Sequence, residues 1–167
     1  MSLPNPGAGL ANKDLIGLLK VVKCHGLLSA GIVIGTASAA KVKWGSSIVA
    51  SVLGDIVTVT TSEVAFTATT HDIAANATAV REAVYLVEVD SAGTVTLKMG
   101  NIASGSGAAV WPAASADKAC VGAVRIAVAA GSTDFDASTD LLSASHITDT
   151  YYNTVCSPTD LGETLAA

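Results

Sequence analysis

Residues 81–100, REAVYLVEVDSAGTVTLKMG, hold two runs in which apolar side chains recur at every second position around the break Asp90-Ser91-Ala92-Gly93. A repeat of two places alternate side chains on opposite faces of an extended backbone, so the segment is expected to form two strands and not a helix. Tyr85, Val87 and Val89 share one face, while Leu86 and Glu88 share the other. Val95, Leu97 and Met99 alternate in the same way with Thr94, Thr96 and Lys98. Gly93 supplies the positive φ that the return turn needs, and the Asp90 carboxylate can accept from the backbone of the turn. Glu88 and Lys98 are expected as cross-strand neighbours, a contact of modest worth if exposed.

The same period extends through the middle of the chain. GIVIGTASAAKVKW suggests two short strands around a Thr-Ala-Ser link. SIVASVLGDIVTVTTSEVAFTATTHDI suggests more, broken at Gly54-Asp55 and near Ser62, with Val57, Val59, Val64 and Phe66 turned to the core. Residues 100–118 read as a long loop anchored by Trp111-Pro112, because Trp buries a large area and Pro restricts the backbone. ACVGAVRIAVAA follows as a long strand in which Val124, Ile126 and Val128 oppose Val121, Ala123, Arg125 and Ala127. SHITDTYYN is the expected last strand. Short strands in this number, with few helices, indicate an all-β fold: an antiparallel β-sandwich or jelly roll.

The ends differ from the middle. MSLPNPGAGLAN, with two prolines and two glycines, is expected to be an irregular arm. Asn12 then stands where an N-cap would, and Leu15, Ile16, Leu18, Leu19 and Val22 follow at helical spacing with Gly26 as the stop. The expected organisation is an arm and amphipathic helix over 1–30, a sandwich over 31–153 and a tail over 154–167. GLLSAGIVIG behind Lys20 and Lys23 imitates a secretory signal, but its basic residues follow an apolar helix-like segment instead of opening the chain, so secretion is not expected. Lys20, Lys23 and His25 likewise interrupt any membrane-spanning window.

Composition bears on function more than on fold. The chain has 167 residues, half of them apolar but only 4% aromatic, which suits thin layers of small β-branched side chains. Charged residues make up 14%, against roughly 25% in ordinary soluble domains, so part of the surface is expected to be covered by neighbouring subunits. A net charge of −5 and the lack of a Lys/Arg cluster argue against nucleic-acid binding. Cys24, Cys120 and Cys156 are odd in number and widely spaced, which suits a reducing cytoplasm and indicates neither a disulfide framework nor a zinc site.

No catalytic, cofactor or metal residue is assigned. There is no G-x-S-x-G elbow, the glycines of GNIASGSG lack the Lys-Ser/Thr pair of a phosphate loop, and the three histidines are scattered in surface or turn positions. Asp134, Asp136 and Asp140 are spaced somewhat like a calcium loop, but the central Gly is absent and Ser145 stands where the closing Glu belongs. They are expected to serve turn bonds.

A family resemblance rests on five stretches taken in order: AKVKW with its strand pair, VAFTATTHDIAA, REAVYLVEVDSAGTVTLKMG, WPAASADKACVGAVRIAV and STDFDASTDLLSASHITDTYYN. The chain resembles the small β-sandwich virion proteins of tailed bacteriophages, the head decoration (cement) or head-fibre base proteins. It departs from them at Asp136-Ala137, where such proteins often carry Pro-Gly. The resemblance implies a non-enzymatic homotrimer made in the bacterial cytoplasm, which sits on the virion capsid surface and binds the major capsid protein without nucleic acid, membrane or cofactor. On that reading the capsid-contacting residues are expected in the arm and helix: Leu3, Pro4, Leu10, Leu15, Leu18, Leu19 and Val22. The alternative is a tail or fibre component, or a carbohydrate-binding module for the host surface, with Trp44, Trp111, Tyr85, Tyr151 and Tyr152 as the aromatics available to stack on sugar.

Overall fold

The computed structural model describes residues 24–26, 30–35, 40–60 and 62–153. Within them the chain forms the strands β1 (Cys24–Gly26), β2 (Ile32–Ile34), β3 (Lys41–Trp44), β4 (Ile48–Val52), β5 (Asp55–Val59), β6 (Glu63–Ala65), β7 (Arg81–Val89), β8 (Val95–Met99), β9 (Ala103–Ser104), β10 (Ala119–Val128) and β11 (Ile147–Tyr152), and no helix. Three antiparallel sheets result, in the orders β1-β4-β5, β2-β3-β6 and β11-β10-β7-β8, with β9 beside the start of β7. They enclose one apolar cluster that includes Ile32, Val42, Trp44, Ile48, Tyr85, Val124, Ile126 and Phe135. The fold is all-β, and the layering is that of a β-sandwich.

The β7–β8 hairpin forms as its alternation dictates, with Tyr85 opposite Met99, Val87 opposite Leu97 and Val89 opposite Val95. Its register nevertheless differs from the expected one. Glu88 faces Thr96, and Lys98 faces Leu86, so Glu88 and Lys98 are not directly paired. The turn decides this: the Asp90 carboxylate accepts from the Ala92 and Thr94 amides at 3.0 and 2.8 Å, and the Asp90 amide donates to the Thr94 carbonyl. Asp90 and Thr94 thereby become the first pair of the ladder, and every later pair follows from them.

A second departure lies in β10. The pairing with β7 slips between Cys120 and Gly122, leaving Val121 as an extra residue. Such a bulge reverses the facing of what precedes it, so Ala119 and Val121 join Val124, Ile126 and Val128 in the main core instead of opposing them. Gly122 also sits where a Cβ would come within 2.3 Å of Ile32 Cδ1 and 2.9 Å of the Tyr152 carbonyl. Only a residue without a side chain lets β2 cross β10 this closely.

β4 and β5 meet the expectation of a break at Gly54-Asp55: Val52 pairs with Asp55, and Leu53 and Gly54 form the two-residue turn with φ of 54° and 97°. Val57, Val59 and Val64 pack partly buried against the core, and Phe66 is buried. The helix expected after Asn12 falls on residues outside the described ones, except for its last three. Those are strand, because Cys24–Gly26 pairs with Ala50–Val52 of β4. Part of the signal-like run is sheet as well: Ile32–Ile34 is β2, and Ala30 and Ile32 are fully buried. Among the described residues no helix is long and apolar enough to cross a membrane. The tail expected over 154–167 lies outside the described residues.

Candidate functional site

The polar side chains of the described chain gather in three places. The first is inside the core. The ring of His71, only 5% exposed, stands edge-on to Phe66 and Tyr85, and Phe66 meets Tyr85 and Phe135 in the same way. His71 closes a turn, its amide donating to the Thr67 carbonyl, as one of the two expected roles has it, but its side chain lies in the core and not at the surface. The Thr67 amide donates to its Nδ1 at 2.7 Å, the Tyr85 hydroxyl donates to its carbonyl at 2.7 Å, and its ring also hydrogen-bonds the Leu97 backbone. One nitrogen accepts and the other donates, which is the neutral form. Burial holds its pKa below the ordinary value, and the Leu97 carbonyl and the nearby Asp72 carboxylate only partly counter that. Burial likewise pushes the Tyr85 phenol up, with Asp72 adding to it. The cluster staples the Phe66–Ile73 segment onto β7.

The second place is the outer face of the main sheet, which carries its own small apolar layer: Val84, Leu86, Cys120 and Ala123, with Trp111 and Tyr152 packed over it. Trp111 meets Tyr152 edge to face with ring centres 5.0 Å apart. At the two ends of this layer stand buried carboxylates on the same face of β7, Glu82 at 0% and Glu88 at 1% exposure. Glu82 accepts from the Ala109 amide at 2.7 Å and pairs with Arg125, whose Nε lies at 2.8 Å and whose Nη2 also donates to it. Glu88 accepts from the amide and the hydroxyl of Ser115 at 2.7 and 2.8 Å. The long loop between β8 and β10 is thus a strap, tied down by one carboxylate at each end. Burial pushes the Glu82 carboxyl up, but the Ala109 amide, the Arg125 guanidinium and the Gly107 amide outweigh it and hold it below its ordinary value. The signal for this was in the sequence: two glutamates six residues apart share one face of a strand whose other residues there are Val84 and Leu86. A strand face that mixes charge with such apolar residues needs a cover that supplies hydrogen-bond donors.

The third place is the Asp-rich loop after β10. The Asp134 carboxylate accepts from the Ala75 amide at 2.8 Å, Asp136 accepts from the Ser138 amide and hydroxyl at 2.8 and 2.6 Å, and Asp140 accepts from the Asp136 amide at 2.7 Å. Asp72 joins them by accepting from the Ala137 amide at 2.9 Å. These are turn and loop-to-loop bonds, with each carboxylate aimed at a backbone donor. Among the described residues no three His, Cys, Asp or Glu side chains are grouped to hold a metal ion.

The outside offers apolar rather than chemical features. Val110 at the top of the strap is 69% exposed, Ile56 on β5 65% and Leu53 in the adjoining turn 49%, and Val33, Ile34 and Ile102 are exposed too. Of the aromatics considered for sugar stacking, Trp44 and Tyr85 are buried. Trp111, Tyr151 and Tyr152 are half-buried, with Trp111 and Tyr152 engaged with each other and the Tyr151 hydroxyl donating to Asp149 at 2.5 Å. The expected contact residues Leu3, Pro4, Leu10, Leu15, Leu18, Leu19 and Val22 all lie outside the described residues. No protein-family model, curated protein or solved structure matches the chain.

Proposed function

We propose that this chain is a structural virion subunit of a tailed phage: a capsid decoration protein that binds the major capsid protein lattice as a homotrimer and stabilises the head. The observation that carries the reading is where its polar groups go. His71, Glu82, Glu88, Arg125, Asp72, Asp134, Asp136 and Asp140 all hold the fold together, while Val110, Ile56 and Leu53 stand out in solvent. Such a subunit ties its loops to backbone donors and exposes several large apolar side chains, and it gains binding energy by covering area on neighbours. The low share of charged residues supports the same reading, as does the resemblance of the order of its strand and turn signatures to that of decoration proteins.

Decoration stabilises a shell by adding modest contacts that symmetry repeats many times. Residues 1–22, read from the sequence as arm and helix, are the contact element of this proposal. Deleting residues 1–12 is expected to abolish binding to undecorated heads in a pelleting assay while leaving the β-sheet circular dichroism intact. Full decoration by the truncated protein would refute the arm's role. Saturation at a few copies per head, by wild type or variant, would favour the tail or fibre alternative.

A further inference from the structure

We propose that the free edge of β5 pairs antiparallel with the same edge of a second copy of this chain, about a two-fold axis through Val57. With Leu53 and Gly54 both at positive φ, the β4–β5 connection is a two-residue type I′ turn, and the flanking pair Val52–Asp55 exchanges both backbone hydrogen bonds. Hydrogen-bonded and non-bonded pairs alternate along an antiparallel ladder. Val57, opposite Ala50, therefore directs its backbone groups to β4, whereas Ile56 and Thr58 direct theirs outward. No strand lies on that side in the described sheet.

Three of the other edges carry protections that folded proteins use against such pairing. β8 presents Lys98, β6 is three residues long and begins with Glu63, and β2 gives the Ile32 amide to the Asn153 side chain. The run Ile56-Val57-Thr58-Val59 has no charge, proline or glycine, and among the described residues its Ile56 is the most exposed large apolar residue after Val110. The turn at its end adds a leucine held at φ 54°, an apolar residue kept exposed in a backbone region that disfavours it.

The edge is complementary to itself. When Val57 meets its own copy, Ile56 of each chain faces Thr58 of the other, and the four outward-directed residues exchange about four backbone hydrogen bonds. Asp55, the only charge on the strand, then faces Val59 of the other copy, so the two carboxylates stay at opposite ends of the pair. Two three-stranded sheets become one continuous sheet. One short strand per copy falls well below the roughly 1,200 Å² that a stable interface buries. The pair is therefore weak in dilute solution and effective where copies are held side by side. That last point rests on the decoration reading, whereas the pairing itself does not.

Sedimentation equilibrium of the full chain, from about 10 μM to about 1 mM to bracket weak affinities, tests the pairing without any capsid. The average mass is expected to double across that range from its low-concentration value, and exchange of the Ile56 and Thr58 amides to slow in step. Thr58→Pro removes an outward amide and no bond to β4, as proline at an edge allows; it is expected to abolish the doubling with an unchanged Tm. Ile56→Lys, which places charge on the edge and leaves the backbone alone, is expected to do the same. The proposal fails if wild type shows no doubling, or if both folded variants double as wild type does. It also fails if the two amides are already protected at the lowest concentration, which would mean that the edge is covered within a single chain. A decoration assay that failed while the doubling persisted would remove the function and leave the contact.

Discussion

Leu53 illustrates how much one residue can set against its own fold. A type I′ turn favours Asn-Gly because both central residues need positive φ, and here a leucine takes the first place at 54° while half exposed. An L-residue with a branched side chain in that region costs about 1 kcal/mol. Leu53→Asn is expected to raise stability by about 0.5–1 kcal/mol, read as a higher urea midpoint at unchanged m-value; a lower midpoint would mean that Leu53 makes contacts worth more than the strain. His71 sets a second test at this scale. Its folded pKa is lowered from the ordinary 6.5, chiefly by burial. As pH falls below 6.5 the unfolded chain takes up a proton that folded His71 refuses, so the stability linked to this group is intact above that value and declines below it. Wild type is therefore expected to lose more stability than His71→Gln between pH 7.5 and 5.5, and equal losses would contradict the neutral buried imidazole. The position of His71 could not be read from the sequence, where His71-Asp72 looks like turn chemistry. Its burial depends on Phe66, Tyr85 and Phe135 arriving from three separate segments.

Among the elements, the strap shows what a sequence reading catches and misses. Alternation identified both strands of the β7–β8 hairpin and the loop that follows, because period and turn chemistry are local. It did not supply the register, which depends on how Asp90 closes the turn, nor the Val121 bulge, which a period-two reading passes over. It also offered Glu88 a cross-strand contact with Lys98, modest if exposed, and gave no sign that the loop folds back and buries it. The strap's two ties are unequal in kind. Removing the Glu82 carboxylate leaves the Ala109 amide without its acceptor and the partly exposed Arg125 guanidinium without its carboxylate, so Glu82→Ala is expected to cost about 2–4 kcal/mol, short of the cost of breaking a fully buried pair. Glu88→Ala leaves only the neutral donors of Ser115 and is expected to cost about 1–3 kcal/mol. In both variants the amide released, Ala109 or Ser115, should exchange faster while the β10 ladder stays protected; unchanged exchange at these amides would show that Trp111 and Tyr152 hold the strap without them. Acid gives the same sign. The Glu82 carboxyl titrates below its ordinary 4.5 in the folded chain, so its contribution is present above that pH and is lost as pH falls through the lowered value.

At the level of the whole molecule, the sandwich puts its polar groups to work inside and under the strap and leaves Val110, Ile56 and Leu53 outside. The fold class was legible because the eleven strands of the described residues leave their periodicity in sequence even where most are only two to six residues long. The proposed contact surface is argued from a deficit of charge, since a partner's footprint has no period of its own. The residues assigned to it, Leu3 to Val22, are argued from arm-like and helix-like patterning alone. A decoration subunit must be present in proportion to the lattice it covers, a requirement that neither a tail component nor a fibre shares. The copy number of this chain per major capsid protein in purified particles, by quantitative mass spectrometry, is the direct test. The account predicts a ratio near one, on the order of one subunit for each lattice position that symmetry repeats; a handful of copies per particle, or none, would contradict it.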